Sequence, residues 1–175
     1  PDESRYSEIA FEMLRSGDFI TPRFNGVLFL DKPPLYYWLQ ALAIKLFGPS
    51  NGSLRFFPAL FALLGAACVF HSAKHLFSKK IATLAAAILL SSPLYFFIGL
   101  YANLDMEVAV FISSALLLFA TAEFAPVKQH RYHYAAYLCA ALAVLTKGLI
   151  GIVLPAISVG LWLLLSGQWY RLKHM

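Results

Sequence analysis

Apolar residues fill the last two thirds of this chain in runs that charged residues barely interrupt. Phe56 to Ala73, Ile81 to Leu104 and Val108 to Ala122 carry no Asp, Glu, Lys or Arg, and Tyr134 to Tyr170 carries only Lys147. A helix rises about 1.5 Å per residue and needs about 20 apolar residues to cross a hydrocarbon core. Each of the first three runs therefore crosses or nearly crosses a bilayer. The fourth is too long for one crossing, and Gly148 and Gly151 beside Lys147 predict two helices meeting at a turn there. The predicted segments cover about 55–76, 80–101, 105–124, 132–147 and 149–169, and supply about four transmembrane helices.

The residues before Phe56 keep a different rhythm. Tyr6, Ile9, Ala10, Met13 and Leu14 share one helical face, while Glu8, Glu12 and Arg15 take the other, so a helix over about 3–15 is expected to lie on the bilayer surface. Ser16-Gly17-Asp18 ends it, and Thr21 to Gly26 reads as a turn-rich crossover. Pro34 opens a second juxtamembrane helix over about 34–47, because the donor that proline lacks is unused in a first helical turn, and Gly48 closes it. The predicted organisation is an outer loop over residues 1–55 and an incomplete membrane domain over 56–175, of all-α integral membrane class.

Composition agrees: 60% of residues are hydrophobic, 13% are charged and the mean hydropathy is +0.68, far from soluble-domain averages. The net charge of +5 does not indicate nucleic acid, because the basic residues sit at the ends of apolar runs where membrane topology accounts for them. Cys68 and Cys139 lie inside apolar stretches and read as small buried hydrophobes, not as a disulfide or metal framework. The sequon Asn51-Gly52-Ser53 is a weak match, and neither a secretory signal nor an internal repeat is visible. A chain that opens at Pro1 is expected to be a piece of a longer protein with a membrane span before it, and to be inactive alone.

Cytoplasmic loops carry the excess of lysine and arginine. Lys74, Lys79 and Lys80, then Lys128 and Arg131, then Arg171 and Lys173 alternate as cytoplasmic, leaving residues 1–55, Asn103 to Glu107 and the Lys147 turn on the outer side. The histidines His71, His75, His130, His133 and His174 then fall at or near the cytoplasmic side. Four polar groups gather on the outer face: Asp2/Glu3/Arg5, Asp31/Lys32, Asp105/Glu107 and Lys147. Each has a plainer role open to it. Asp2 and Glu3, or Asp105, cap a helix N-terminus, with Glu107 facing water; Arg5 and Lys32 snorkel to headgroups; Lys147 anchors a helix end. The recurrence of acids and bases together, in a chain with few charges, favours chemistry. Carboxylates beside an apolar environment serve as general bases, and cations hold phosphate.

The blocks DESRYSEIAFEML, SGDFITPRFNG, DKPPLYYWLQALAIKLFG, LDMEVAVF and TKG, in that order, resemble the lipid-linked-sugar glycosyltransferases of the GT-C class, nearest the aminoarabinose transferase (ArnT) and protein O-mannosyltransferase-like family. The resemblance covers essentially the entire chain. It implies a GT-C-like bundle whose first periplasmic loop holds both juxtamembrane helices. It further implies that Asp2 is the principal catalytic or acceptor-site carboxylate, with Glu3 its catalytic partner and Asp105 a second acidic catalytic position. Arg5 and Lys32 would face the donor phosphate, and Lys147 and Glu107 would complete the substrate-binding set.

Asp31 falls at a position that helps hold a divalent ion in some members. One carboxylate does not make a metal site, so no cofactor is required by this reading and a divalent cation stays open. The implied reaction moves a sugar, with inversion, from a polyprenyl-phosphate donor to a lipid A, protein or glycan acceptor at the periplasmic face of the bacterial inner membrane. The partners are that donor, the acceptor and membrane lipids, without nucleic acid. Two competing readings are a membrane transporter, whose ions usually sit near the midplane on broken helices, and a non-catalytic scaffold or inactive fragment.

Overall fold

The computed structural model describes residues 2–125 and 130–167, with the side chain of Asp2 outside the described residues. Lys128, Arg171, Lys173 and His174, invoked above for topology, also lie outside the described residues. Helices α1 (Asp2–Ser16) and α2 (Leu35–Phe47) precede the membrane part, joined by a two-stranded ribbon of β1 (Arg23–Phe24) and β2 (Val27–Leu28). The ribbon pairs Arg23 with Leu28 and Phe24 with Val27. Its turn residues, Asn25 at φ 53° and Gly26 at φ 76°, both occupy the left-handed region that a tight two-residue hairpin requires. The Gly26 N–H donates to the Glu12 carboxylate at 3.2 Å, which ties the hairpin back to α1.

The apolar stripe of α1 meets protein. Ile9 and Met13 pack on Tyr36, Tyr37 and Leu104, and Ala10 packs on Ala41 and Ile44, so α2 covers the face that the periodicity alone assigns to the bilayer. The tyrosine pair on α2 supplies the contact surface: Tyr36 and Tyr37 are buried against α1, and the Tyr6 and Tyr36 rings meet edge to face at 5.4 Å.

Helix α3 (Asn51–Leu76) starts at a capping box in which the Ser50 and Ser53 side chains each accept from the other's backbone N–H. Where the sequence reads as one segment over about 80–101, the chain forms two helices, α4 (Lys79–Ser91) and α5 (Pro93–Gly99), bent by 66°. Proline disfavours the helical region for the residue before it, and Ser92 is extended at φ −67°, ψ 122°. The Tyr95 hydroxyl donates to the Ala62 carbonyl at 2.8 Å and holds α5 on α3. A Cβ at Gly65 would lie 2.5 Å from the Tyr95 Oη and 2.8 Å from a Val110 methyl, so glycine lets α3, α5 and α6 (Asp105–Phe124) meet.

Helix α7 (His130–Lys147) turns at Gly148, φ 84°, into α8 (Ile150–Leu165). Gly151 closes this turn, since a Cβ there would stand 2.4 Å from the Ala143 and Val144 backbone. Among the described residues, α3 and α6 are long and apolar enough to cross a membrane, the bent α4–α5 pair makes a third if it is one span, and α8 is a shorter apolar helix. The architecture is an all-α integral membrane bundle with a juxtamembrane α1–α2 layer on one end.

Candidate functional site

That layer sits on the end of the bundle where α3 and α6 begin and α7 finishes, and Glu3, Asp31, Lys32, Asp105 and Lys147 fall there. Glu3, in the first turn of α1, accepts a hydrogen bond from the Ala102 backbone N–H at 2.7 Å and pairs with Arg55 of α3, whose Nε stands 3.4 Å from the same oxygen. One carboxylate thus joins α1, the start of α3 and the α5–α6 connection. Arg55 was not picked out from the sequence. Its signal is faint: a lone arginine just inside an apolar span, directly after the cap.

Asp105 and Lys147 form an ion pair that joins the start of α6 to the end of α7. Asn103 prepares the carboxylate by donating through Nδ2 to Asp105 Oδ2 at 2.9 Å and accepting the Asp105 N–H at 3.1 Å. Both charged side chains remain partly accessible, so an incoming group can reach them. Lys32 pairs with Asp31 at 3.3 Å, at the entry to α2. Leu35, one helical turn on, packs with Val108 and Ala143, which carries this block toward the α6–α7 pair. Arg5 and Asp31 both act electrostatically on the Tyr37 hydroxyl, so α1 and the Asp31-Lys32 block border the same ring.

Beneath the rim lies a polar layer that sequence reasoning did not foresee. Tyr36 Oη accepts from Gln40 Nε2 at 2.9 Å, and the same amide donates to the Leu54 carbonyl at 2.7 Å. Burial, and then the nearby Glu107, push the Tyr36 hydroxyl well above the ordinary phenol range. Tyr37 is also raised, first by burial and then by Tyr6 and Asp31. Glu107 itself is 0% exposed, and neither of its carboxylate oxygens has a hydrogen-bond partner among the described residues. The plainer role with Glu107 facing water therefore does not hold. Two residues after Asp105 is about 200° around a helix, so one side chain reaches the rim while the other enters the core.

The structure assembles Glu3 with Arg55, Asp31 with Lys32, and Asp105 with Lys147 into three ion-paired groups on one end of the bundle, with Arg5 on the same helix as Glu3 and Glu107 buried below. A polar cavity of about 280 Å³ opens on the α1–α3 side, lined in part by Glu3, Ser7, Asn51, Arg55 and Tyr101; Arg5, Lys32, Asp105 and Lys147 do not line it. An apolar groove of about 440 Å³ runs between α6, α7 and α8 past Phe119, Val144, Ile152 and Pro155. Among the described residues no group of three or more His, Cys, Asp or Glu is placed to hold a metal ion, and the Asp31 carboxylate is engaged by Lys32. A divalent ion there would need ligands that these neighbours do not supply.

Comparison with known proteins covers nearly the whole chain. The family profile described as dolichyl-phosphate-mannose-protein mannosyltransferase matches residues 31–175. An uncharacterised protein of Aquifex aeolicus is 37% identical over 99% of this chain and 34% of its own length. The undecaprenyl phosphate-alpha-4-amino-4-deoxy-L-arabinose arabinosyl transferase 2 of Sodalis glossinidius is 35% identical over 97% of this chain and 31% of its own. The crystal structure of ArnT from Cupriavidus metallidurans bound to undecaprenyl phosphate superposes with a TM-score of 0.94 at 31% identity, over 99% of this chain and 32% of that one. The chain spans about a third of the length of the curated relatives it matches.

Proposed function

The chain belongs to the dolichyl-phosphate-mannose-protein mannosyltransferase family, and from that premise we propose that its protein transfers a sugar from a polyprenyl-phosphate donor to an acceptor at the outer face of a bacterial inner membrane. The observation that carries the proposal is the clustering of Asp31–Lys32, Asp105–Lys147 and Glu3–Arg55 on one end of the bundle, in a backbone that superposes on an undecaprenyl phosphate-bound transferase.

The chemistry follows from charge. As the donor's anomeric C–O bond breaks, the lipid phosphate gains negative charge, and fixed cations lower that barrier. Lys147 and Lys32 are held at the rim by single carboxylates that a phosphate can replace. A hydroxyl acceptor forms the new C–O bond from the opposite side, with inversion, and gives its proton to a carboxylate. By resemblance Asp2 is the principal carboxylate for that role, and the accessibility of Asp105 and its orientation by Asn103 support Asp105 as the second. If the acceptor is itself a phosphate, no base is needed and the carboxylate orients it. Glu3 acts as a positioning residue, because its oxygens are committed to Ala102 and Arg55.

The apolar groove suits the prenyl tail: Val144 in its wall lies one helical turn before Lys147, so a tail in the groove would carry its phosphate toward that cation. In this proposal the acceptor is lipid A, a protein or a glycan, and no metal is required because the lysines supply the charge. The bent α4–α5 pair, if it is one span, is a feature shared with transporters. Its break at Ser92–Pro93 carries no ionic group, and the charges gather at the rim instead.

The test is sugar transfer by the whole protein from a radiolabelled polyprenyl-phosphate sugar. Asp105→Asn and Lys147→Gln should each lower turnover by about 100-fold or more, the usual scale of a general base or a transition-state cation. Normal transfer by both variants would remove the proposal. The glycan mass profile of cells with and without the gene would name donor and acceptor together.

A further inference from the structure

The end of the bundle away from α1 carries a second organised cluster that the transfer chemistry does not use. Helix α3 runs from Arg55 at the rim to His71, Lys74 and His75 near its other end, so the two groups lie roughly 25–30 Å apart at 1.5 Å per residue. The His71 and His75 rings meet at 4.7 Å between centroids. His71 Nε2 is 3.2 Å from the hydroxyl of the buried Tyr132 on α7, in a hydrogen bond whose direction follows the tautomer. The exposed Arg131 guanidinium lies 5.1 Å from the centre of the same Tyr132 ring, and Lys74, His75 and Arg131 all act electrostatically on His71.

Positive charge gathered this tightly is normally balanced by a carboxylate. The sequences 66–91 and 108–147 contain one acidic residue, Glu123. It is taken by His133 at 3.0 Å. Among the described residues no carboxylate pairs with Lys74, His75 or Arg131. Topology alone explains loose lysines at a span end. It does not explain imidazole, phenol and guanidinium from two helices locked in mutual contact, with the cations left facing outward.

We propose that His71, Lys74, His75 and Arg131 form a headgroup site for an anionic phospholipid, on the opposite end of the bundle from the transfer site. A phosphodiester accepts the guanidinium fork and ring N–H donors together, and basic clusters between helices at a membrane edge hold anionic headgroups in this way. Tyr132 is a positioning residue: buried, it fixes His71 by its hydroxyl and Arg131 by its ring.

The experiment is native mass spectrometry of the whole protein released from vesicles of equal parts phosphatidylglycerol and phosphatidylcholine. Retained lipid should be enriched in phosphatidylglycerol, and the enrichment should fall about fivefold in Arg131→Gln and again in Lys74→Gln/Arg131→Gln, on the scale of one surface cation each. Arg131→Lys should keep much of it, and an unchanged thermal melt would separate lost binding from lost folding. Equal retention of both lipids by the native protein, or undiminished enrichment in the double variant, would overturn the site. Displacement of the lipid by millimolar inorganic phosphate, with the phosphate bound equally well in neutral vesicles, would overturn the lipid as its occupant. None of these residues belongs to the transfer site, so failure here leaves the proposed reaction standing.

Discussion

Helices α1 and α4 each carry an apolar face, yet they place it in opposite surroundings. On α1, Ile9 is 0% exposed against the α2 tyrosines; on α4, Leu84 and Ile88 are 61% and 60% exposed and face outward. Burial against protein demands shape as well as apolarity, whereas a side chain facing lipid needs apolarity alone. The juxtamembrane layer is therefore the part of the molecule in which packing positions the ionic rim. The outward α4 face should tolerate exchange.

The largest effect should separate these two faces directly. Ile9→Ala is expected to cost about 2–5 kcal/mol, the range for truncating a packed core residue, while Leu84→Ala should leave stability nearly unchanged. Thermal unfolding in one detergent checks both, and equal losses would break the contrast. Next comes the same comparison among glycines. Gly65→Ala forces a methyl into Tyr95 and Val110 and should cost about 1–3 kcal/mol as overpacking. A Cβ at Gly160 in α8 meets nothing within 4 Å, so Gly160→Ala should be neutral or gain up to about 1 kcal/mol of helix propensity. Loss in both variants would mean that α8 is more closely packed than its surroundings indicate.

The smallest effect lies in the loop between α1 and the ribbon. The Thr21 and Ile20 backbone N–H groups, both 3.0 Å from Asp18 Oδ1, hold its carboxyl below the usual carboxylate range. A depressed folded value means that this contribution is fully present above the ordinary carboxylate pKa and is lost as pH falls through the folded one. The amide shifts of Ile20 and Thr21 should titrate with a midpoint below that of an ordinary aspartate, and Asp18→Asn should abolish the transition. A midpoint at or above the ordinary value would remove this local tie and make the loop as adaptable as the outward face of α4.

Legibility in the sequence varied with the range of the interaction. The Tyr6–Leu14 stripe, the proline start and glycine end of α2, and the turn at Lys147 are encoded within a few residues of where they act. The Asn25-Gly26 hairpin carries a strong local turn signal, but strands of two residues leave no alternation to read. The Ser92–Pro93 bend lies in a run without charges whose length suggests one helix, although Ser91-Ser92-Pro93 is itself a local break signal. At the site, Asp105, Lys147, Asp31 and Lys32 stood out as rare charges. Arg55 and Asn103 did not, since their importance lies in the carboxylates they touch. Glu107 looked like its neighbour Asp105, and the angle between them around α6 became decisive only once α2 packed against one side.

By itself the sequence determined that this is a multi-helix membrane protein with a more polar first 55 residues, and it determined which few residues carry charge. Those properties are sums over neighbouring residues: transfer free energy along a run, periodicity along a face, conformational preference at Gly and Pro. Only the tertiary structure decided that Glu3 would meet Arg55, that Asp105 would meet Lys147, and that the α1 stripe would be covered by two tyrosines. Contacts between residues dozens of positions apart depend on how whole helices cross, and crossing is set by three-dimensional packing that no local pattern contains.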